Sequence, residues 1–519
     1  MPPYTDEECE WVDGDGYVLV PGYIEPHVHP FQIYNPQSFA EYAARRGTTV
    51  LVCDNLPLIL VADDKEGLAF LCEMQDSPAT FYWWARFDSQ SAMEEESCRF
   101  TNGSVRSWLD HDLVVQGGEL TGWPIVMAGN DLMLHWMQIA KKWGKRVEGH
   151  FPGASEKTLV KMKLMGTDGD HEAMTGKEVA ERIQHGYMAT LRHSSIRPDL
   201  PKLLREILPY GPDIYSRLML TTDGSPPAFY EKGVVDCLLR IAIEEGIPPA
   251  DAYVMASLNP ATYFRMDHLH GSIATGRVAD INFLREENDP VPVSVIAKGK
   301  WVKRDGDPVP ITRRTEWGKY GLGPLKIDWD LNPDELHDSI PVGISLVNAV
   351  VTKPYSSSGS EDRMRKEDSD ECILILVDRQ GKWRVNTTVR GFARRLGGLC
   401  TSFTGTGDIL LVGKNTDDLL LAFRRMKCMG GGIVIFENGV LLYELSLPIG
   451  GFASDGSMEE LMEREKELKA ILESRGYSHG DPILSFLFFT STHLPYLRVT
   501  PKGLYDVMKK KVLFPSVMR

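Results

Sequence analysis

Short apolar runs that end in polar, chemically able side chains recur along the first half of the chain, and stretches of helical periodicity separate them. Val20-Pro21-Gly22-Tyr23-Ile24-Glu25-Pro26 runs into His27-Val28-His29. Thr48–Cys53 ends at Asp54, Asp112–Gln116 leads to Gly117-Gly118-Glu119, and Lys145–Gly149 ends in His150. Leu164-Met165-Gly166-Thr167-Asp168-Gly169-Asp170 leads to His171-Glu172, Met188–Leu191 precedes Arg192-His193, and Arg217–Thr222 ends in Asp223-Gly224. Between these runs, Asp131–Trp143, Ser155–Met165 and Glu178–Gln184 repeat their apolar residues at helical spacing. Thr175-Gly176-Lys177-Glu178 has the form of a capping box, a side-chain acceptor followed three residues later by a carboxylate. Strand and helix alternating in this way predict a parallel sheet, most economically a closed (β/α)₈ TIM barrel over residues 21–280. Catalytic groups of such a barrel come from the C-terminal ends of several strands. The polar residues stand at those ends.

Past the barrel the pattern changes. Strand-like Asn282–Leu284, Val293–Ala297 and Trp301-Val302, with a turn at Ala297–Lys300, predict return strands of a small β-domain over residues 281–325. Its opening strands would lie in residues 1–20, a short stretch, so a partial domain with an exposed sheet edge is expected. From Lys326 to Arg519, strands at Cys372–Val377, Ile409–Val412 and Gly432–Phe436 alternate with helices at Asp417–Met429 and Met458–Ser474, the pattern of a further α/β domain. Tyr355–Glu371, rich in serine and charge, reads as a mobile loop, and Trp83-Trp84 as core.

His27 and His29 are spaced i, i+2, which in an extended backbone puts both imidazoles on one face about 7 Å apart, within reach of one metal ion. Taken in order, His27, His29, Glu119, His150, His171 and Asp223 supply four imidazole donors and two carboxylates, enough for two divalent cations with a carboxylate between them. A hydroxide shared by two such cations is a nucleophile at neutral pH, because metal binding lowers the pKa of water to about 7. Asp223 is placed to take a proton from attacking water and to return it to a leaving group. Imidazole and carboxylate ligands without thiolate suit Zn, Mn or Fe.

These residues, with Gly149-His150-Phe151-Pro152-Gly153, Asp170-His171-Glu172 and Thr222-Asp223, resemble the amidohydrolase superfamily, and more closely its bacterial adenine deaminase branch. Met255-Ala256-Ser257-Leu258-Asn259-Pro260-Ala261 and Gly271–Asp280 extend the resemblance, as do Gly430–Val434 and Leu445–Gly451 in the C-terminal domain. It implies hydrolysis of adenine to hypoxanthine and ammonia, in purine catabolism or salvage. His27 and His29 would hold one metal and His150 and His171 the other, with Glu119 bridging and Asp223 as the metal-linked base. The family tilts the metal toward Mn or Fe and makes a homo-oligomer plausible. Asp54 aligns with an acidic residue the family keeps near the site, and His193 follows a strand that ends at the same barrel mouth; both are candidates for substrate contact. Two segments depart from the family. Its Asp-Pro-His-Glu becomes Asp54-Asn55-Leu56-Pro57, and its Ala-His-Asp-Ser-His-Asn becomes Phe403-Thr404-Gly405-Thr406-Gly407-Asp408. The substrate is therefore open between adenine and another heterocyclic amine or cyclic amide, and a metal-binding scaffold without turnover is a further alternative.

Composition narrows the class rather than the chemistry. With 519 residues and a net charge of −15, the chain is long enough for several domains and unsuited to broad nucleic-acid or anionic-membrane binding. Its eight cysteines form no C-x-x-C pair, as expected of reduced thiols in a cytoplasmic protein, and neither a cleavable signal nor a membrane span is evident. Gly405-Thr406-Gly407 lacks the third glycine and following helix of a dinucleotide loop.

Overall fold

Strands whose residues are buried on both faces are the mark of a parallel sheet covered by helices, and Thr48–Cys53 and Thr80–Ala85 are buried at every position. In the computed structural model, which describes residues 11–93, 96–310, 314–337, 340–357 and 369–519, β1 (Val18–Pro21) precedes eight barrel strands. These are β2 (Tyr23–Val28), β3 (Thr48–Cys53), β4 (Thr80–Ala85), β5 (Val114–Leu120), β6 (Arg146–Gly149), β7 (Gly169–Asp170), β8 (Met188–Arg192) and β9 (Leu218–Thr221). Each pairs in parallel with the next, in chain order. Alternation along the strands makes two layers. Val50, Val52, Tyr82, Trp84, Met188 and Met219 pack inside the barrel, whereas Leu51, Cys53, Phe81 and Trp83 pack outward under the helices.

The barrel closes through side chains. On β2 the Glu25 carboxylate accepts from Thr221 Oγ1 at 2.7 Å, Thr222 N at 3.0 Å and Thr222 Oγ1 at 2.8 Å, and Thr221 Oγ1 also reaches His27 O at 2.6 Å. The first and last strands are thus clipped together just below the residues of interest.

The sequence signals for the surrounding helices hold. Asn130 caps Asp131–Lys142, Ser155 caps Glu156–Met165 and Thr175 caps Gly176–Gln184, each through its side chain. The capping box is not reciprocal: Thr175 accepts from Glu178 N at 3.2 Å, but Glu178 Oε2 takes Met174 N at 2.9 Å rather than the cap residue's own N–H. The run from Leu164 to Asp170 is shared by two elements, and its first two residues belong to the helix that the periodicity of Ser155–Met165 predicts. Leu164 and Met165 finish the preceding helix, Gly166 ends it in the left-handed conformation, and only Gly169 and Asp170 pair as β7.

Val18–Pro21 pairs antiparallel with β10 (Ile281–Leu284), which continues through β11 (Ser294–Ala297), β12 (Lys300–Arg304) and β13 (Asp307–Pro308) as a five-stranded sheet. Asp280 governs this return: its backbone carbonyl accepts from Gly22 N at 2.9 Å and its carboxylate receives Lys298 N at 2.8 Å and faces His270 Nδ1 at 3.1 Å. The C-terminal region builds a nine-stranded sheet in which all pairings are antiparallel except that of Val342–Leu346 with Trp383–Arg390. Alternating strands and helices there therefore do not make the parallel crossovers they make in the barrel. The helix Thr416–Met429 covers one face over Ile373, Ile375 and Leu411, and the other face, with Leu374, Leu376 and Leu410, joins the apolar cluster of the barrel's outer layer. Of the segment Tyr355–Glu371, Tyr355 and Ser356 end one strand and Glu371 starts another, while residues 358–368 lie outside the described part. Among the described residues no helix is long and apolar enough to cross a membrane.

The C-terminal domain roofs the barrel mouth. Ser454 N donates to Ile33 O at 2.8 Å and Asn35 Nδ2 to Ser454 O at 2.7 Å. Thr492 N donates to Gln90 O at 2.8 Å and Ser91 Oγ to Thr490 O at 2.6 Å. These backbone ties fix the loops after β2 and β4, which carry His29 and Arg86.

Candidate metal centre

All eight barrel strands deliver a polar side chain to the mouth: His27 and His29, Asp54, Arg86, Glu119, His150, His171, Arg192 and Asp223 in strand order. Two sets of donors converge. The ligand atoms of His27, His29 and Asp223 lie within 4.8 Å of one another, and so do those of Glu119, His150 and His171. In the first set Asp223 Oδ1 stands 3.2 Å from His27 Nε2 and 3.4 Å from His29 Nε2. In the second, Glu119 Oε1 stands 2.6 Å from His150 Nδ1 and 3.4 Å from His171 Nε2. Glu119 Oε2 turns toward His29 Nε2 at 3.8 Å, so one oxygen of this carboxylate faces each set. A third grouping, His27 with Glu148 and His171, lies beneath the other two.

Carboxylates orient the imidazoles from behind. Asp54 Oδ2 holds His29 Nδ1 at 2.8 Å and Glu148 Oε1 holds His171 Nδ1 at 3.3 Å, leaving each Nε2 for the centre, the arrangement that fixes tautomer and basicity in metal sites. Asp54 is itself locked by Arg86, which donates to both its oxygens at 2.7 Å and reaches Glu119 Oε2 at 2.9 Å. Both Asp54 oxygens are committed to Arg86, with Oδ2 also on His29 and Oδ1 also on Leu56 N, so this residue positions His29 and is not left over for substrate. His193 is likewise displaced from its expected place. It packs on Phe229 at a centroid distance of 5.8 Å on the outer side of the strand end, while its neighbour Arg192 takes the inward position, with NH1 2.5 Å from Glu172 and NH2 2.6 Å from Asp223. Trp84, read from sequence as core, is buried but also forms the floor under His27, at 4.2 Å between rings.

Electrostatics suit cations. Against a burial that favours its neutral form, Glu119 is held well below the ordinary carboxylate range by Arg86 and His150, and Asp223 by Arg192, His27 and His29. Burial, then the nearby His171, pushes His27 down to about 3, so its ring is neutral and able to ligate. His29, His150 and His171 are pushed upward, against burial, by the carboxylates around them. A pocket that raises three imidazoles favours any cation at those nitrogens, proton or metal, so metal binding there releases protons. His27 provides the sharpest test of fit: both ring nitrogens are buried, and neither makes a hydrogen bond among the described residues. An imidazole left without hydrogen bonds inside a cage of carboxylates fits a metal ligand.

Residues 18–302 match the family model described as "Amidohydrolase family". The chain belongs to the amidohydrolase family. Residues 349–511 of this amidohydrolase match a second model, "Adenine deaminase C-terminal domain", so the adenine deaminase branch accounts for both halves of the molecule. "Putative adenine deaminase BH0637" of Halalkalibacterium halodurans is 53% identical over 521 residues, covering 100% of this chain and 90% of the relative. YerA of Bacillus subtilis, under the same designation, is 49% identical over 518 residues, covering 100% and 89%. An "Adenine deaminase" of Nitratidesulfovibrio vulgaris is 28% identical over 526 residues, covering 96% and 88%. The fold is the TIM barrel expected from the sequence, the chemistry is that of a hydrolase acting on C–N bonds, and the family implies a divalent metal.

Two cavities open on the centre. One, of about 250 Å³, is walled by Glu119, His150 and Asp223 from the barrel and by Leu487, Phe488 and His493 from the C-terminal domain. The other, of about 80 Å³, adjoins His29 and is lined by Leu56, Pro57, Phe403, Thr404 and Gly405, among others. Both segments that depart from the family pattern meet in this second cavity. Arg86, Glu148 and His493 escaped sequence reasoning, since none belongs to a ligand-like spacing; for Arg86 and Glu148 the one available cue was their place at or near a strand end, whereas Arg192 stood beside His193 at the end of a strand already read from the sequence.

Proposed function

We propose that this amidohydrolase converts adenine to hypoxanthine and ammonia by hydrolysis on a pair of divalent cations, within purine catabolism or salvage. The observation that carries the proposal is the pair of three-donor sets facing opposite oxygens of Glu119, with Asp223 beside both the first set and the cavity. His27, His29 and Asp223 would hold one cation, His150 and His171 the other, with Glu119 between them; nitrogen and oxygen donors without thiolate suit Zn, Mn or Fe, and the family resemblance tilts the choice toward Mn or Fe. Bound cations supply Lewis acidity, which brings water into its nucleophilic form near neutral pH.

The chain's own residues do the rest. Asp223, kept ionised by Arg192, accepts the proton of attacking water and returns it to the departing amine. Arg192 keeps that carboxylate aimed, and Arg86 fixes Asp54 and Glu119 at once. The roof formed by Leu487 and Phe488 keeps bulk water from the chamber.

Ammonia release from adenine by the purified chain, reconstituted with Mn²⁺ and compared with Asp223→Asn, tests this directly. The wild-type chain is expected to release ammonia and the variant to lose at least about 10²-fold in rate with metal retained. An active variant removes the base assignment, and a metal-loaded wild type that leaves adenine intact removes adenine. One observation favours a second substrate reading, a heterocyclic amine other than adenine. The cavity beside His29 is mainly apolar and is lined by Leu56 and Pro57 and by Phe403, Thr404, Gly405 and Gly407, from the two segments that depart from the family pattern. A panel of aminopurines and other heterocyclic amines, scored by ammonia or amine release, separates the two.

A further inference from the structure

Two hydrogen-bonding side chains of the chamber have capacity that the other described residues leave unused. Gln32, three residues past His29, is 7% exposed, and its Oε1 is buried without a hydrogen bond among the described residues. His493 comes from the other domain, and its Nδ1 is buried without a partner in the same way. The His493 ring stands perpendicular to that of His150 at a centroid distance of 5.6 Å and to Phe488 at 6.2 Å. Both residues line the cavity that holds Glu119 and Asp223. The segment bearing His493 is anchored, since Thr492 donates its N–H to Gln90 O at 2.8 Å.

Buried polar atoms without partners are costly, and in native proteins each calls for an explanation. For His27 the metal donor set explains it. Gln32 and His493 belong to neither donor set, yet they share the chamber with both. An amide offers an acceptor oxygen and two N–H groups, and an imidazole offers a nitrogen donor or acceptor. A flat heteroaromatic ring presents the complementary set, N–H groups and ring nitrogens around its edge. Amide side chains read purine edges by this pairing elsewhere.

We propose that Gln32 from the barrel and His493 from the C-terminal domain bind the heteroaromatic ring of the substrate and select it. This rests on the purine reading above and adds the residues that recognise the ring. Gln32 Oε1 accepts a ring N–H, and the His493 imidazole bonds a second position on the edge. Cations held by the two donor sets would supply the same Lewis acidity whatever the ring, so discrimination falls to these groups. A site built to hydrogen-bond its substrate rejects analogues lacking the partner far more strongly than an apolar slot does.

The test titrates metal-loaded wild-type, Gln32→Leu and His493→Phe chains with hypoxanthine by calorimetry, with metal content measured on each and KM and kcat for adenine alongside. His493→Phe keeps a flat ring against His150 and Phe488 while removing the nitrogens. Expected are about tenfold or greater losses of hypoxanthine affinity in each variant, KM rising in step, and both metals retained. His493→Gln, which restores a hydrogen-bonding group, should recover part of the loss. Unchanged affinity in both variants overturns the proposal, as does loss of affinity that tracks loss of metal, or a metal-loaded wild type that does not bind hypoxanthine. A wild type that binds hypoxanthine but releases no ammonia from adenine refutes the reaction, while the affinity ratios still decide the ring-binding pair.

Discussion

His29 shows how much of this centre depends on groups other than ligands. Its Nδ1 is held by Asp54, Asp54 is held by Arg86, and Arg86 reaches Glu119, so three barrel strands and the loop after a fourth set the aim of one nitrogen. His171 and Glu148 repeat the device deeper in the barrel. Replacing His27 or His29 with Ala should lower bound metal measurably below that of the wild type, read by elemental analysis after dialysis; unchanged content would sink the first donor set. The six proposed ligands were legible in the sequence because a metal site needs few residue types at strand ends, and His27-Val28-His29 follows an apolar run. Arg86 and Glu148 were not, and Arg192 was legible only as the neighbour of His193. An arginine at a strand end has no metal-ligating chemistry to mark it, and the carboxylates that explain it lie 32 and 33 residues away for Arg86 and 20 and 31 for Arg192. His193 was misplaced by one residue, which on a strand means the opposite face.

Among the elements, β2 and β9 matter most, because no ladder hydrogen bonds join them and Glu25 does so instead. Burial pushes the Glu25 carboxyl up to about 7, yet it accepts from both Thr221 and Thr222. Glu25→Ala leaves Thr222 N without its acceptor and removes one acceptor each from Thr221 Oγ1 and Thr222 Oγ1, and should cost about 2–3 kcal/mol in unfolding free energy, measured by urea denaturation; a loss below about 0.5 kcal/mol would show the seam to be held by other contacts. The helix start at Gly176 was readable from Thr175, since a capping side chain acts within three residues of its own position. β7 was not readable to length. Leu164 and Met165 fall within the helical periodicity of Ser155–Met165, and nothing in Gly166-Thr167-Asp168 marks where strand pairing begins.

For the molecule as a whole, the meeting of two domains over one chamber lay beyond the sequence. Gln90 and Thr492 are 402 residues apart, and no local pattern announces their bond. The small sheet and the (β/α)₈ barrel were foreseen; the antiparallel sheet of the C-terminal domain was not, because alternating strands and helices fit either pairing. Between the domains, Glu465 accepts from Ala228 N at 2.6 Å and Asp481 from Ser195 Oγ at 3.1 Å. Burial pushes both carboxyls above their ordinary values of 4.5 and 3.8; repulsion from Asp481 adds to the rise of Glu465, and Lys466 and Lys469 oppose it. Raised folded values mean that the unfolded chain ionises first. The pair's stabilisation is fully present below the ordinary carboxylate range and is lost as pH rises through the folded values toward neutrality. Glu465→Gln should therefore gain in Tm relative to wild type as pH is raised from about 4 to about 8. A Tm difference independent of pH would mean that the carboxyl titrates as it does in water.

The seam at Glu25 has a mechanical consequence. It lies two residues before His27 and ends one residue before Asp223, so it sets the spacing of one cage of donors and leaves the cage of His150 and His171, just past β6 and β7, untouched. The two ions would then sit in cradles of unequal stiffness. Under mild denaturant or warming, the ion beside His27 and His29 should escape first, leaving a half-loaded protein whose single remaining equivalent departs only when the barrel itself comes apart.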